Sequence, residues 1–370
     1  MIGFLILLVA ASMAISLLGT LLVIRYAPRL GLVAHPGGRM IHKLPTPVGG
    51  GTAIFLGLWL PIWVSVAFCF YLRAAGGAPT NFAAALPIPE NLKIQVMGVL
   101  DKAPQLAMIF LGGVIVYLVG LADDRWSLSP WLRLVIEVGV ALMLVLSGVS
   151  VELFFESRIL RGVITVVWIV ALINSFNFLD NMDGLSAGVA AIIAVFFSVV
   201  AFQTVHYFVG GALCCLIGAL MGFLVFNFPP ASLFMGDCGS MTIGYSLAVL
   251  TVQFTFFQAE RPYFAIVVPL MMFGVPLFDT ITVMWIRIRS GRSPFIGDTN
   301  HFSHRLVALG MKPWQAVLTI YLVTATVALG VTVLYYMASS VAILVIFAQT
   351  VAVFTIIGIL ETTGRRKSGA

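Results

Sequence analysis

The stretch MIGFLILLVAASMAISLLGTLLVI, residues 1–24, carries no charged side chain, and the first charge in the chain is Arg25. A helix needs about 20 apolar residues to cross a hydrocarbon core, so this run is long enough. It has neither the basic lead nor the short apolar core of a secretory signal, and it reads as a first membrane helix. The pattern recurs along the chain. Further apolar runs near 49–72, 104–122, 131–149, 160–177, 186–205, 208–228, 241–257, 262–286, 314–337 and 340–360 bring the expected total to about eleven. The expected fold class is all-α, a polytopic membrane helix bundle forming one integral-membrane domain over residues 1–370. Pro269 and Pro276 predict a bent or broken helix in the ninth run.

Composition agrees with that reading. Of 370 residues, 61% are hydrophobic and 9% charged, and mean hydropathy is +1.10; soluble domains carry about 25% charged residues. An ordinary soluble domain, a collagen, a disordered chain and a secreted disulfide scaffold are excluded. Cys69, Cys214, Cys215 and Cys238 form no CxxC pair and no metal-ligand spacing. A net charge of +6 would point to nucleic acid in a soluble protein, but here its placement matters more, and no nucleic-acid partner is expected.

An odd number of spans puts the termini on opposite faces. The face that carries the C-terminus then holds Arg25, Arg29, Arg39, Lys43, Arg125, Arg133, Arg287, Arg289, Arg292, Arg305, Lys312, Arg365, Arg366 and Lys367, which is 14 of 20 basic residues. The positive-inside rule makes that face cytoplasmic, with the N-terminus outside. Residues 73–103 become an outer-face insertion and 287–313 a long cytoplasmic loop. The chain is expected in the cytoplasmic membrane. Asp123, Asp124, Asp180, Asp183, Asp237, Asp279 and Asp298 fall on or near the basic face, as do His35, His42, His301 and His304. Orientation rules say little about aspartate, so this gathering of acids is the main functional signal.

Four acidic segments carry it. In Gly120-Leu-Ala-Asp123-Asp124-Arg125, two carboxylates about 5 Å apart repel by roughly 3 kcal/mol at an effective dielectric of 20. A cation or a raised pKa must offset that; a solvated helix end paired with Arg125 is the plain alternative. In Asn174-Ser-Phe-Asn177-Phe-Leu-Asp180-Asn-Met-Asp183-Gly184, polar groups recur every third position, on a helix end or in a turn that Gly184 permits. Their amides and carboxylates suit magnesium, sugar hydroxyls and uracil edges. In Gly236-Asp237-Cys-Gly239-Ser240, flanking glycines let backbone approach a phosphate while the carboxylate meets a metal; a simple turn reads the same way. The long loop runs from Arg287, Arg289 and Arg292 through Asp298 to His301, His304 and Arg305, groups that suit a diphosphate. Zinc would fit the two histidines, but the surrounding oxygen ligands favour a harder ion. Asp279 lies within an apolar run, where a carboxylate must face protein or water. His42 and Lys43 stand in a basic, proline- and glycine-rich loop fit for phosphate contact, or merely for re-entry.

Taken in order, these segments resemble the polyprenyl-phosphate N-acetylhexosamine-1-phosphate transferases, the glycosyltransferase family 4 enzymes that include the phospho-N-acetylmuramoyl-pentapeptide transferase of peptidoglycan synthesis. The resemblance runs from Arg39 to Leu309 and looks nearer the N-acetylglucosamine branch. Ser303 stands where relatives carry the middle histidine of a His-x-His-His-Arg-Leu motif, and His35 where an aspartate is often found. The resemblance implies transfer of a sugar 1-phosphate from a UDP-N-acetylhexosamine to a polyprenyl (undecaprenyl) phosphate in the membrane lipid, with release of UMP. It implies magnesium, with manganese as a substitute, and is compatible with a homodimer. Asp123, Asp124 and Asp183 are the expected catalytic residues, and Asp237, Asp123 and Asp124 the metal ligands. His42, Lys43, Asn174, Asn177, Asp180, Asp279, Arg292, His301, His304 and Arg305 are expected to bind substrate. The rival reading is an ion-coupled secondary transporter, since membrane acids often mark ion paths; the interfacial crowding of the acids and the lack of a repeat weigh against it. A lipid phosphatase is a further alternative, but no serine–histidine arrangement is placed for it.

Overall fold

A computed structural model describes residues 2–34, 45–75, 98–153, 156–254, 264–293, 299–337 and 340–368. Its helices are α1 (Ile2–Tyr26), α2 (Gly51–Ala75), α3 (Ala103–Trp126), α4 (Pro130–Leu146), α5 (Arg158–Leu179), α6 (Leu185–Gln203), α7 (Tyr207–Asn227), α8 (Asp237–Gln253), α9 (Phe264–Met272), α10 (Gly274–Arg289), α11 (Phe302–Ala308), α12 (Pro313–Met337) and α13 (Ser340–Ser368). Each expected apolar run is occupied by a helix, and the ninth by two. His42, Lys43, Asp298 and residues 76–97 of the outer insertion lie outside the described residues.

The molecule is a multi-pass membrane helix bundle. Among the described residues eight helices are long and apolar enough to cross a membrane, and the bent pair α9–α10 makes a ninth. The expected count of about eleven differs because α4 and α8 have only 17 residues each, at the lower limit for crossing. The bend between α9 and α10 is 78°, as the prolines predict. Pro269 lies inside α9 and Pro276 in the first turn of α10, where its missing N–H costs the new helix nothing.

Helix α8 is the buried centre: every residue from Cys238 to Val252 is shielded. Its neighbours approach closely through small residues, the usual means of helix packing in lipid. A Cβ on Gly120 of α3 would lie 2.5 Å from Cys238 Cα, so the acidic end of α3 is pressed against the start of α8. Gly120→Val is expected to destabilise by about 1–3 kcal/mol through overpacking, read as a lowered unfolding midpoint in detergent; an unchanged midpoint would mean that the contact is slack. On the other side of the bundle Ser16 Oγ of α1 donates to Ala219 O of α7 at 2.7 Å.

Short non-helical pieces join one end of the bundle. β1 (Val33–Ala34) pairs antiparallel with β2 (Thr46–Pro47), Val33 opposite Pro47 and Ala34 opposite Thr46. The chain after β2 docks on the segment preceding α8: Phe234 N donates to Pro47 O at 2.9 Å, Gly50 N to Phe234 O at 3.0 Å and Gly51 N to Met235 O at 3.0 Å. The α3–α4, α5–α6 and α7–α8 connections meet at this same end, through the contacts described next.

Candidate active site

The α3–α4 turn sets the first group. Ser127 adopts a left-handed conformation (φ 50°), and its N–H closes on Asp123 O. Ser129 is extended and Pro130 opens α4, a position that suits its fixed φ and lost donor. The chain thus doubles back and brings Arg133, in the first turns of α4, over Asp123. Asp123 is buried, at 7% exposure. Its Oδ1 accepts from Leu128 N at 2.5 Å, and its Oδ2 receives Arg133 Nη1 in a short ion pair. The same Nη1 donates to Asp237 Oδ2 at 2.9 Å. Asn177, from the last turns of α5, donates through Nδ2 to Asp237 Oδ1 at 2.7 Å and to Ser240 Oγ at 3.1 Å. Asp123, Asn177 and Asp237 therefore converge around Arg133, a residue that the sequence reading counted only as a topology marker.

Asp124 has another task. Its Oδ1 accepts from Asp237 N at 2.7 Å and its Oδ2 from Cys238 N at 3.2 Å. These are orphan amides at the positive end of α8, and the N-cap residue, Gly236, offers no side chain for them. Gly236 has φ 75° and ψ 171°, and a Cβ there would sit 2.5 Å from Asp124 Oδ2. Only glycine fits this cap.

The α5–α6 connection is both a helix end and a turn. Asn174 lies on α5, where its Nδ2 donates to Glu137 Oε2 of α4 at 2.5 Å and to Val170 O at 2.9 Å. Gly184, at φ 75°, donates its N–H to Asn227 Oδ1 at 3.0 Å and accepts Tyr321 OH at 2.5 Å, so α7 and α12 hold the turn from either side. Asp183 Oδ2 accepts from Ala231 N at 3.0 Å. Burial, with Asp124 and Asp183 nearby, pushes the Asp180 carboxyl up to about 8.

A second cluster is built from α10 and the start of α11. Asp279 is 1% exposed. Its Oδ2 meets His301 Nδ1 at 2.9 Å and its Oδ1 accepts from Phe302 N at 2.6 Å, so one carboxylate orients a histidine and caps α11. The other ring nitrogen, Nε2, lies 3.3 Å from Arg287 Nη2, whose guanidinium stacks over Phe178, 5.3 Å from the ring centroid. Arg305 donates to Asn300 O at 2.7 Å and to Thr282 Oγ1 at 3.2 Å. His304 is half-buried, its ring centroid 6.4 Å from that of His301. Arg292 is exposed beyond the end of α10.

The α5–α6 segment ties the clusters together. Asn177 reaches Asp237, Phe178 packs edge-on against His301 with centroids 6.1 Å apart, and Asn181 Oδ1 accepts the Ser303 hydroxyl. One turn of chain thus faces a carboxylate group on one side and a histidine–arginine group on the other. Among the described residues no group of three or more histidine, cysteine or acidic side chains is assembled around a metal position. Yet Asp123 and Asp237 direct hard oxygens at one point, marked by the Arg133 Nη1 cation, and that donor set fits magnesium chemistry.

Comparison with known proteins gives the family. The model of glycosyl transferase family 4 matches residues 106–255, which contain the carboxylate group. A protein of Bacillus subtilis (strain 168) named "Probable undecaprenyl-phosphate N-acetylglucosaminyl 1-phosphate transferase" is 29% identical over 364 residues, covering 93% of this chain and 90% of the relative. The decaprenyl-phosphate N-acetylglucosaminephosphotransferase of Mycolicibacterium smegmatis (strain ATCC 700084 / mc(2)155) is 30% identical, covering 82% of this chain and 75% of its own. The undecaprenyl-phosphate alpha-N-acetylglucosaminyl 1-phosphate transferase of Escherichia coli (strain K12) is 26% identical, with 82% and 77% covered. The chain belongs to glycosyl transferase family 4, among the polyprenyl-phosphate N-acetylhexosamine-1-phosphate transferases.

Proposed function

We propose that this protein transfers N-acetylglucosamine 1-phosphate from its UDP-sugar to a polyprenyl phosphate, releasing UMP, as the first membrane step of an envelope polysaccharide pathway. The observation that carries the reading is the meeting of Asp123, Asn177 and Asp237 around Arg133, one turn of chain away from the Asp279–His301–Arg287 group. An oxygen of the acceptor phosphate attacks the sugar-bearing phosphorus of the donor. The bond from that phosphorus to the bridging oxygen breaks, and UMP leaves with the electron pair. Acceptor and donor are both anions, so the site must neutralise charge and hold the two in line. Arg133, Arg287, His301, His304 and Arg305 supply positive or donor groups for the phosphates. Asp123 orients the acceptor, and Asn177, Asp180 and Asp183 face the nucleotide and sugar. Magnesium, or manganese in its place, would be held by Asp123 and Asp237 with Asp124 behind them, and would neutralise the diphosphate.

Our reading places all eleven helical runs across the bilayer, with the N-terminus outside and this site at the cytoplasmic surface. Two features support it: the site-bearing connections share one end of the bundle, and 14 of 20 basic residues fall on that side under the same topology. A polyprenyl tail can then stay in lipid while its phosphate reaches the site. His42, Lys43 and Arg292 remain candidate phosphate contacts from the same side, the chain acts as one integral-membrane unit, and a homodimer is compatible with it. Asp279 is the acid within an apolar run that a transporter would use, but both its oxygens are engaged within the protein, which suits a fixed support better than an ion relay.

Purified protein, a polyprenyl phosphate, magnesium and a panel of UDP-sugars are expected to yield a lipid-linked diphospho-sugar and UMP, most rapidly with UDP-N-acetylglucosamine. Ion-driven solute uptake into proteoliposomes without any lipid product would favour the transporter instead.

A further inference from the structure

Arg133 Nη1 is shared by two carboxylates, Asp123 Oδ2 and Asp237 Oδ2. This is the arrangement expected of a cation placed between two anions that would otherwise repel. The pair is not sealed. The Arg133 side chain is 20% exposed and that of Asp237 34%, against 6% for Asp123, so the open side of the bridge belongs to Asp237 and the arginine. The remaining oxygens are engaged elsewhere: Asp123 Oδ1 by Leu128 N, Asp237 Oδ1 by Asn177. The point at which both carboxylates can still meet a positive charge is the one that Nη1 fills. A divalent ion bridging Asp123 and Asp237 and the guanidinium cannot occupy it together.

We infer that Arg133 is a resident counter-cation, holding the Asp123–Asp237 pair together until a divalent ion displaces it, whereupon its guanidinium turns through the open side toward the donor phosphates. The inference rests on the function proposed above. A guanidinium binds phosphate through the same fork of donors that it offers a carboxylate, so the displaced group keeps an anionic partner in the cleft. The arginine thus lowers the affinity of the empty protein for the ion, and donor diphosphate restores it by giving the arginine somewhere to go. The alternative is a fixed clamp, in which Arg133 aligns the two carboxylates for the ion and stays in place.

The two make opposite predictions for ion binding without either substrate. The probe is manganese, its free concentration read by electron paramagnetic resonance, titrated against the full-length protein in detergent. Arg133→Gln removes the competing charge and is expected to tighten manganese binding by about tenfold, the size of an ordinary coupling between sites. Arg133→Lys, which keeps a cation but replaces the guanidinium with a more strongly hydrated ammonium on a flexible stem, is expected to fall between Gln and wild type. It also serves as the decisive variant if the glutamine protein does not fold. Manganese is expected to raise the unfolding midpoint of either variant more than that of wild type. Equal or weaker binding in these variants, with Asp237→Asn abolishing binding, would overturn the counter-cation and leave the proposed function standing. Wild-type manganese affinity in Asp237→Asn would instead remove the ion from this site and with it the reading on which the inference rests.

Discussion

Asp237→Asn is expected to lower sugar-phosphate transfer by about a thousandfold, the cost of losing one preorganised electrostatic element of a transition state, while leaving the unfolding midpoint close to wild type. Asparagine keeps the size and position of the side chain at the first residue of α8. It changes the charge and the donor pattern: the carboxylate now accepts from both Arg133 and Asn177, whereas an amide must turn its NH2 toward one of them. The bridging anion is gone and Arg133 is drawn wholly to Asp123. The backbone contacts of Asp237 survive, because its N–H is capped by Asp124. The check is initial rate from radiolabelled UDP-N-acetylglucosamine beside a thermal melt of the same preparation. Near wild-type turnover would remove Asp237 from the chemistry; a collapsed melt would make it a structural residue.

Asp279→Ala acts by a different route, and its largest effect is on stability. The carboxylate is almost wholly buried and satisfies two groups, His301 Nδ1 and Phe302 N. Truncation leaves both without that partner and opens a hole at the start of α11, a loss of about 3–5 kcal/mol for breaking a buried pair. Asp279→Asn should recover part of that loss, since an amide oxygen can still accept from one of the two donors. Because Asp279 holds the ring rather than any phosphate, the asparagine variant is expected to raise KM for the UDP-sugar more than it lowers kcat, once His301 is no longer fixed. Melting curves in detergent and a KM-against-kcat comparison test this. Wild-type stability of the alanine variant would contradict the assignment.

The membrane-helix pattern and the gathering of acids were legible in sequence because both are local. An apolar run needs no partner to be recognised, and Pro269 with Pro276 announces a break wherever α9 and α10 are packed. The Asn177-to-Asp183 spacing likewise announced a polar helix end. What could not be read were pairings across the bundle. Arg133 and Asp237 are 104 positions apart, and nothing in a single chain says that a topology arginine will sit between two distant carboxylates. Its one local signal was its place in the first turns of a helix that follows the Asp123–Asp124 pair after a three-residue turn. The resemblance made Asp124 a metal ligand, and the repulsion of adjacent carboxylates asked only for a counter-charge or a raised pKa; the structure relieves that repulsion by giving one to Arg133 and the other to the amides of α8. Asn174 read as part of the nucleotide loop, yet its amide is held by buried Glu137, a contact invisible until α4 and α5 are packed together. Ser303 stood out only as a departure from a histidine motif, and its hydroxyl turns out to join α11 to Asn181.

A phosphorus atom, and not the sugar alone, is expected to cross from nucleotide to lipid at this site. Donor labelled with ³²P in the sugar-bearing phosphate separates the two outcomes in one extraction. With purified protein, magnesium and a polyprenyl phosphate, label is expected in the organic phase with unlabelled UMP in the water, and to enter the organic phase about a thousandfold more slowly when Asp237→Asn replaces wild type. Label retained in water as UDP, with the sugar on the lipid, would contradict the account.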